Sequence, residues 1–330
     1  MSESAAHAAL NIFRGSGGKF QLQQVEHLGF SGSALWRVTS PDEPPLCLKR
    51  WPASHPPPAR LPWIHQVLIH SRQQGIDFLP KPQVTRAGQT TCDHAGSTWE
   101  LMTWLPGSVD DSPTPSAQRV AAAFHALAKF HRATADFDQK RAAKPAPAIA
   151  DRVNRWQVLS GGEIAVICQA IQQRSIPAID DLAQEWIARH STLPREMLNG
   201  LTIACQLSLP LQPAIRDLWR DHVLFQEEKV SGVIDFGAMR MDTPLTDLGR
   251  LIGSLAKDDA TLRETALGAY GEISPLSPSD RQLIDLLDHS GTLIAGWNWL
   301  AWLYVEQREF PSLVAVRERL AHLLRRTRVR

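Results

Sequence analysis

Two aspartates and a histidine, Asp217, His222 and Asp235, stand close together in the run "IRDLWRDHVLFQEEKVSGVIDFG", residues 215–237. The stretches "HVLF" and "VSGVIDFG" are β-rich and are joined by the polar turn Gln226-Glu227-Glu228-Lys229, so they read as a hairpin. A hairpin there folds Asp235 back beside the loop that carries Asp217 and aims both carboxylates at one pocket. Such a pocket can take a proton from a hydroxyl and hold a divalent cation. An aspartate in a turn also serves plain turn chemistry, and Asp-Phe-Gly alone arises by chance. The joint order is more specific: Arg-Asp-Leu, an apolar run, a hairpin turn, "VIDFG", then Asp242-Thr243-Pro244 and Asp247-Leu248-Gly249-Arg250.

At 330 residues, 43% hydrophobic and 21% charged, the chain has room for one large domain or two lobes and can bury a sizeable core. A formal net charge of +1 gives no whole-molecule reason to expect nucleic acid, and no apolar stretch reaches bilayer-spanning length. The start "MSESAAHAALNIFRG" lacks the basic residues and continuous apolar core of a secretory signal, so a cytoplasmic location is expected. Cys47, Cys92, Cys168 and Cys205 form no C-x-x-C pair, which argues against a zinc site or a disulfide framework. The histidines show no H-E-x-x-H spacing either.

The elements that must position the pocket change character along the chain. Short β-type runs, "FQLQQVEHL", "SALWRVTS", "PLCLKRW" and "STWELMTWL", fill the first hundred residues, with one helix from Leu61 to Gln74 that Gly75 stops. After Pro106-Gly107 helical spacing dominates: Val120, Phe124, Leu127 and His131 share a face over 116–135, and further helices are expected near 163–173, 180–190, 280–303 and 312–327. The stretch "KPAPAIAD", 144–151, reads as a loop or sub-domain boundary.

Taken with these elements, the motifs resemble the aminoglycoside phosphotransferase and choline kinase branch of the protein-kinase-like superfamily. "WELMTWLPG" (99–107) is similar to that branch's hinge, "LAKFHRA" (127–133) to its first long C-lobe helix, and "VIDFGAMRMDTPLTDLGRLIGS" (233–254) to the segment that begins at D-F-G. The resemblance implies an α+β, bilobal protein-kinase-like fold: a small β-rich N-lobe (1–103), a hinge (104–107) and a larger helical C-lobe (108–330). Two departures stand out. The family's loop begins His-Gly-Asp or His-Arg-Asp and ends at Asn, whereas this chain has Ile215-Arg216-Asp217 and His222. The R-D-x-x-x-x-H form is itself similar to the loop of lipopolysaccharide core sugar kinases.

The resemblance also implies roles. Asp217 would accept the proton of an acceptor hydroxyl and Asp235 would hold the metal that bridges the nucleotide phosphates, with His222 either a second metal ligand or a hydrogen-bond donor to phosphate or to Asp217. Lys49 would pair those phosphates; strand alternation sets Cys47 and Lys49 on one face and Leu46 and Leu48 on the other, which favours Lys49 over Arg50. The turn "GFSGSALW" (29–36), with Gly32 and Ser33, would cover the phosphates or form a plain hairpin turn. No acidic residue lies in 61–74 to hold the lysine, so Glu100, in phase with Met102 on the strand before the hinge, is the stand-in or simply an exposed strand carboxylate. The backbone of Thr103, Trp104 and Leu105 would hydrogen-bond adenine. Arg216, Arg220 and Asp242 would meet the substrate, with structural ion pairing as the alternative for the arginines, and Asp247 would anchor the catalytic loop. The tryptophans of "GWNWLAWLY" are expected in the core, and the basic "RERLAHLLRRTRVR" as a solvated helix end with weak contact to an anionic membrane surface as the alternative.

The expected activity is thus an ATP- and Mg²⁺- (or Mn²⁺-) dependent kinase acting on a hydroxyl of a small molecule: a sugar, an amino alcohol or a lipopolysaccharide core sugar. The alternative is a pseudokinase that binds nucleotide or a partner without catalysis. A protein kinase is disfavoured, because no A-P-E-like segment follows D-F-G.

Overall fold

The computed structural model describes residues 3–25, 32–52, 56–138, 142–192, 194–256 and 259–327. Its N-terminal part holds α1 (Glu3–Arg14), β1 (Gln21–Val25), β2 (Ala34–Thr39), β3 (Leu46–Arg50), α2 (Leu61–Gln73), β4 (Thr91–His94) and β5 (Ser97–Thr103). The strands make one five-stranded antiparallel sheet in the order β1-β2-β3-β5-β4. Alternation splits its residues between the faces. Leu46, Leu48, Trp99 and Leu101 bury against Ala6, Ala9, Leu10 and Phe13 of α1. Glu100, one residue out of phase, meets α2 on the opposite face through His65.

The sequence signals α2 but not α1, which is a second helix within the β-rich part. Its apolar residues at i, i+3, i+4 and i+7 are mostly small alanines, so the stripe is narrow and closes only against the sheet.

The remaining elements are mainly helical: β6 (Ser108–Val109), α3 (Ala117–Thr134), β7 (Ala142–Ala143), α4 (Pro147–Val158), α5 (Ile164–Gln173), α6 (Asp180–His190) and α7 (Arg195–Ala204). Then follow β8 (Leu209–Pro210), β9 (Gln212–Ala214), β10 (Val223–Gln226), β11 (Lys229–Val233), β12 (Arg240–Asp242), α8 (Leu245–Leu251), α9 (Ala260–Gly271), α10 (Pro278–Leu300) and α11 (Leu313–Arg326). A β-rich N-terminal sheet followed by a helical C-terminal part is the kinase-like architecture. Residues 147–151, expected in a loop, open helix α4, with Pro147 in its first turn, where a missing N–H costs nothing.

Short strands bracket the chemistry-bearing loops. β12 pairs with β9, Arg240 opposite Ala214, and β10 pairs with both β11 and β6. The loops 215–222 and 234–239 therefore leave and re-enter one small framework. Gly107 lets the chain turn from β5 into it: its φ is 98°, and a Cβ there would lie 2.2 Å from the Ser231 hydroxyl.

A large core joins α2, α3, the β10-β11 hairpin, α8 and α9, and a second one joins α4–α7 to the end of α10 and to α11. Trp297 and Trp299 lie buried in the second. The basic α11 is no solvated end: Arg326 is buried with Asp288 at 2.6 Å and Thr292 at 2.7 Å. Among the described residues no helix is long and apolar enough to cross a membrane.

Candidate active site

Asp217 and Asp235 follow or occupy backbone positions that L-residues rarely adopt. Arg216, just before Asp217, has φ 68°, and Asp235 itself has φ 63°. These turns face the two loops toward each other. The backbone is held by Asp247 of α8, whose carboxylate accepts from the N–H groups of Ile215 (2.7 Å) and Arg216 (2.6 Å) and contacts His131 Nε2 at 3.1 Å. That buried network fixes the loop where Ile215, packed in the core, has no polar side chain to offer.

The Asp217 side chain is 48% exposed. Its Oδ1 accepts from Trp219 Nε1 at 2.7 Å and from Arg250 Nε and Nη2 at 3.3 and 2.8 Å. All of these contacts fall on one oxygen and leave Oδ2 for an incoming hydroxyl. Burial opposes ionisation of Asp217, but the Arg250 guanidinium, His222 and the Trp219 N–H outweigh it and hold the carboxyl below the usual range.

Asp235 lies opposite. Lys49 Nζ reaches its Oδ1 at 3.1 Å and rests 3.5 Å from the centroid of the Trp51 ring, a cation–π contact that confines the ammonium. Trp51 needs Gly237, since a Cβ there would come within 2.7 Å of the indole. Burial again opposes ionisation; Lys49, His222 and the Gly237 N–H prevail, and the Asp235 pKa is lowered to about 2.

His222 links the halves. Its Nδ1 donates to the Asp217 backbone carbonyl at 2.8 Å, so that in a neutral ring the lone pair falls on Nε2, which faces Asp235 Oδ2 at 3.8 Å. A carboxylate oxygen beside an imidazole lone pair is a donor set that fits a divalent cation. No cluster of three or more metal-ligating side chains occurs among the described residues, so such an ion would draw its other ligands from phosphates and water.

Other expected contacts come out differently. Glu100 is the cross-strand neighbour of Lys49, yet its carboxylate takes His65 Nε2 at 2.8 Å, and Lys49 takes Asp235. Glu100 is buried, not an exposed strand carboxylate. In the 103–105 segment, the N–H of Thr103 donates to Lys81 O (3.1 Å) and that of Trp104 to Pro45 O (3.0 Å), leaving Leu105 as the remaining amide. Met102 lies opposite Cys47 in the sheet. Gly32 has φ 72° and Ser33 follows it just before β2, while 29–31 of the same turn lie outside the described residues. Arg216 is occupied by Asp151 and the fully buried Asp242, each at 2.8 Å. Arg220 donates to the Ser112 carbonyl at 2.8 Å and to that of Asp110. Both arginines thus have structural partners, Arg216 two carboxylates and Arg220 two carbonyls with Asp110 Oδ1 3.7 Å away. Missed were Trp51, His65, Trp219 and Arg250; only Arg250 carried a signal, lying one helical turn after Asp247 on α8.

The chain is similar over its whole fold to known proteins. It is 28% identical over 240 residues to a homoserine kinase of Afipia carboxidovorans, an alignment covering 71% of this chain and 66% of that one, less than two thirds of the relative. Its fold superposes on an aminoglycoside phosphotransferase from Alicyclobacillus acidocaldarius with TM-score 0.60 and 17% identity, over 97% of this chain and 92% of the other. A microcompartment-associated aminopropanol kinase gives TM-score 0.62 at 17% identity over 98% and 95%. The family model that matches is APH, the phosphotransferase enzyme family, over residues 24–283, and the chain belongs to that family.

Proposed function

We propose that this chain transfers the γ-phosphoryl group of ATP, with a divalent cation, to a hydroxyl of a small molecule. What carries the reading is one convergence: Lys49 and His222 meet on Asp235 beside an ionised Asp217 whose second oxygen is open. Phosphoryl transfer asks for positioning and charge neutralisation, and these residues offer both. The acceptor oxygen would attack the γ-phosphorus as the bond to the β–γ bridging oxygen breaks; Asp217 Oδ2 orients the hydroxyl and takes its proton, and ADP leaves. A carboxyl held below its ordinary pKa is a weak base, so Asp217 acts chiefly by orientation and receives the proton late.

Lys49 supplies a cation to the phosphates, and the Leu105 amide is the donor left for adenine. Asp235 and His222 would hold the divalent ion, which supplies charge neutralisation of the phosphates when bound. The non-catalytic alternative has no support, since the acidic and basic groups for transfer all lie in one place. The names homoserine kinase and aminopropanol kinase among the similar proteins make small amino alcohols natural first acceptors to try.

The test is phosphate incorporation from γ-labelled ATP into a metabolite extract, by wild type and by Asp217→Asn. Incorporation that requires Asp217 is expected. Intact ATP binding with no Asp217-dependent product from any extract would contradict the proposal.

A further inference from the structure

The side of the cleft that faces away from Lys49 is lined with arginine. Arg250 and Arg319 lie 3.8 and 4.1 Å from the centroid of the same Trp219 ring, and two guanidiniums that close cannot share a face, so the indole is sandwiched between them. Trp219 and Arg250 both donate to Asp217 Oδ1. Arg319, from the distant helix α11, also lies 3.6 Å from Asp221. The wall thus begins at the carboxylate that would orient the acceptor and extends outward.

Arg250 and Arg319 each have one carboxylate, Asp217 and Asp221, but with Arg152, Arg216 and Arg240 nearby the five arginines face four carboxylates, Asp151 and Asp242 being the other two. Asp151 is shared between Arg216 and Arg240, Asp242 pairs with Arg216, and Arg152 donates to the main-chain carbonyls of Ala148 and Leu287. Burial first, then the repulsion of Arg216 and Arg250, lowers the Arg152 pKa to about 10 against the attraction of Asp242 and Asp151. Like charges gathered in a partly desolvated cleft are unfavourable unless an anion completes the set. Lys49 is paired with Asp235, whereas the arginines gather on the residues that surround Asp217.

We propose that the acceptor carries an acidic group, a carboxylate or a phosphate, near the hydroxyl that is phosphorylated, and that Arg250 and Arg319 on the two faces of Trp219 recognise it. The inference rests on the phosphotransferase reading of Asp217. Planar guanidiniums suit both anions, and a polycationic acceptor is repelled by the same wall.

A strong anion exchanger at alkaline pH, where amines are neutral, separates metabolites bearing an acidic group from the rest. Each pool is offered with γ-labelled ATP. Product from the retained pool is expected. Product arising only from the flow-through, or equally from both, would overturn the proposal and leave the kinase reading standing; product from neither would overturn both.

With the acceptor from the retained pool, Arg319→Gln should raise the acceptor's half-saturation about tenfold or more, the scale of a lost charge-assisted hydrogen bond, and Arg319→Lys should recover part of it. ATP half-saturation should not move. If ATP shifts and the acceptor does not, the arginines read the nucleotide's own phosphate and the proposal fails. Should Arg319→Gln not fold, the pool experiment decides alone. Defined probes sharpen it: homoserine and 4-hydroxybutyrate keep a carboxylate beside a terminal hydroxyl, and 3-amino-1-propanol lacks it.

Discussion

The two sides of the cleft are built differently. On the nucleotide side, Lys49, Trp51, His222 and Asp235 come from a sheet strand and one contiguous loop–hairpin, and each polar group is matched by a partner of opposite character. On the acceptor side, Asp217 is met by Trp219 and Arg250, and Arg319 arrives from a helix about a hundred residues further along. Charge is compensated on the first side and left in excess on the second. Under the proposed function, the first half would be the fixed device for phosphate and the second the half fitted to a particular acceptor.

The largest expected effect lies on the nucleotide side. Lys49→Met should weaken ATP binding by about a hundredfold, because an unpaired Asp235 would then repel the phosphates, whereas Arg50→Met should do little. Titration calorimetry with ATP decides it, and equal losses in the two variants would dissolve the distinction between the faces of β3.

Asp235 offers a measurement of stability. Its folded pKa of about 2 lies below the unfolded value of about 3.9, so its contribution is complete above that unfolded value and is lost as pH falls toward the folded one. Thermal melts of wild type and Asp235→Asn should differ most above about pH 4 and converge near pH 2. A gap that widens on acidification would mean that the Lys49 pairing is misassigned.

Smaller is the effect beside Lys49, on the α2 face of the sheet. His65 and Glu100 are both buried and bonded at 2.8 Å, so each single substitution to Ala and Gln should cost about 1–3 kcal/mol. The double mutant should fall well short of the sum. Strong coupling of Glu100 with Lys49 instead, in the same denaturant-melt cycle, would return Glu100 to the nucleotide side.

The smallest effect concerns His222. Imidazole suits Mn²⁺ better than Mg²⁺, so wild type should prefer Mn²⁺ by no more than about tenfold and His222→Asn should lose that preference. Metal affinity read from Mn²⁺ relaxation provides the check; an unchanged preference would place His222 as a hydrogen-bond donor alone.

Much of this was legible in the chain. The hairpin, the order of strand-rich and helix-rich parts and the alternation that turns Lys49 inward follow from local spacing, and the anchoring part of Asp247 from the family resemblance. What could not be read is which of several permitted partners a side chain takes. Lys49 has Glu100 as its register neighbour yet bonds Asp235, because the turn at φ 63° brings that carboxylate over the ammonium while α2 presents His65 to Glu100. The same holds for Arg319, whose contact with Trp219 depends on how α11 docks. Helix α4 was hidden by prolines that mark a boundary in sequence and a first turn in space.

The most direct test of the account is the behaviour of Asp217→Asn, assayed for turnover and, separately, for equilibrium ATP binding. Loss of at least about a hundredfold in kcat with the ATP dissociation constant unchanged is the predicted result, since the group acts on the acceptor hydroxyl and not on the nucleotide. Wild-type turnover in that variant, or a loss of ATP affinity that accounts for the whole defect, would contradict the division of the cleft into a nucleotide side and an acceptor side.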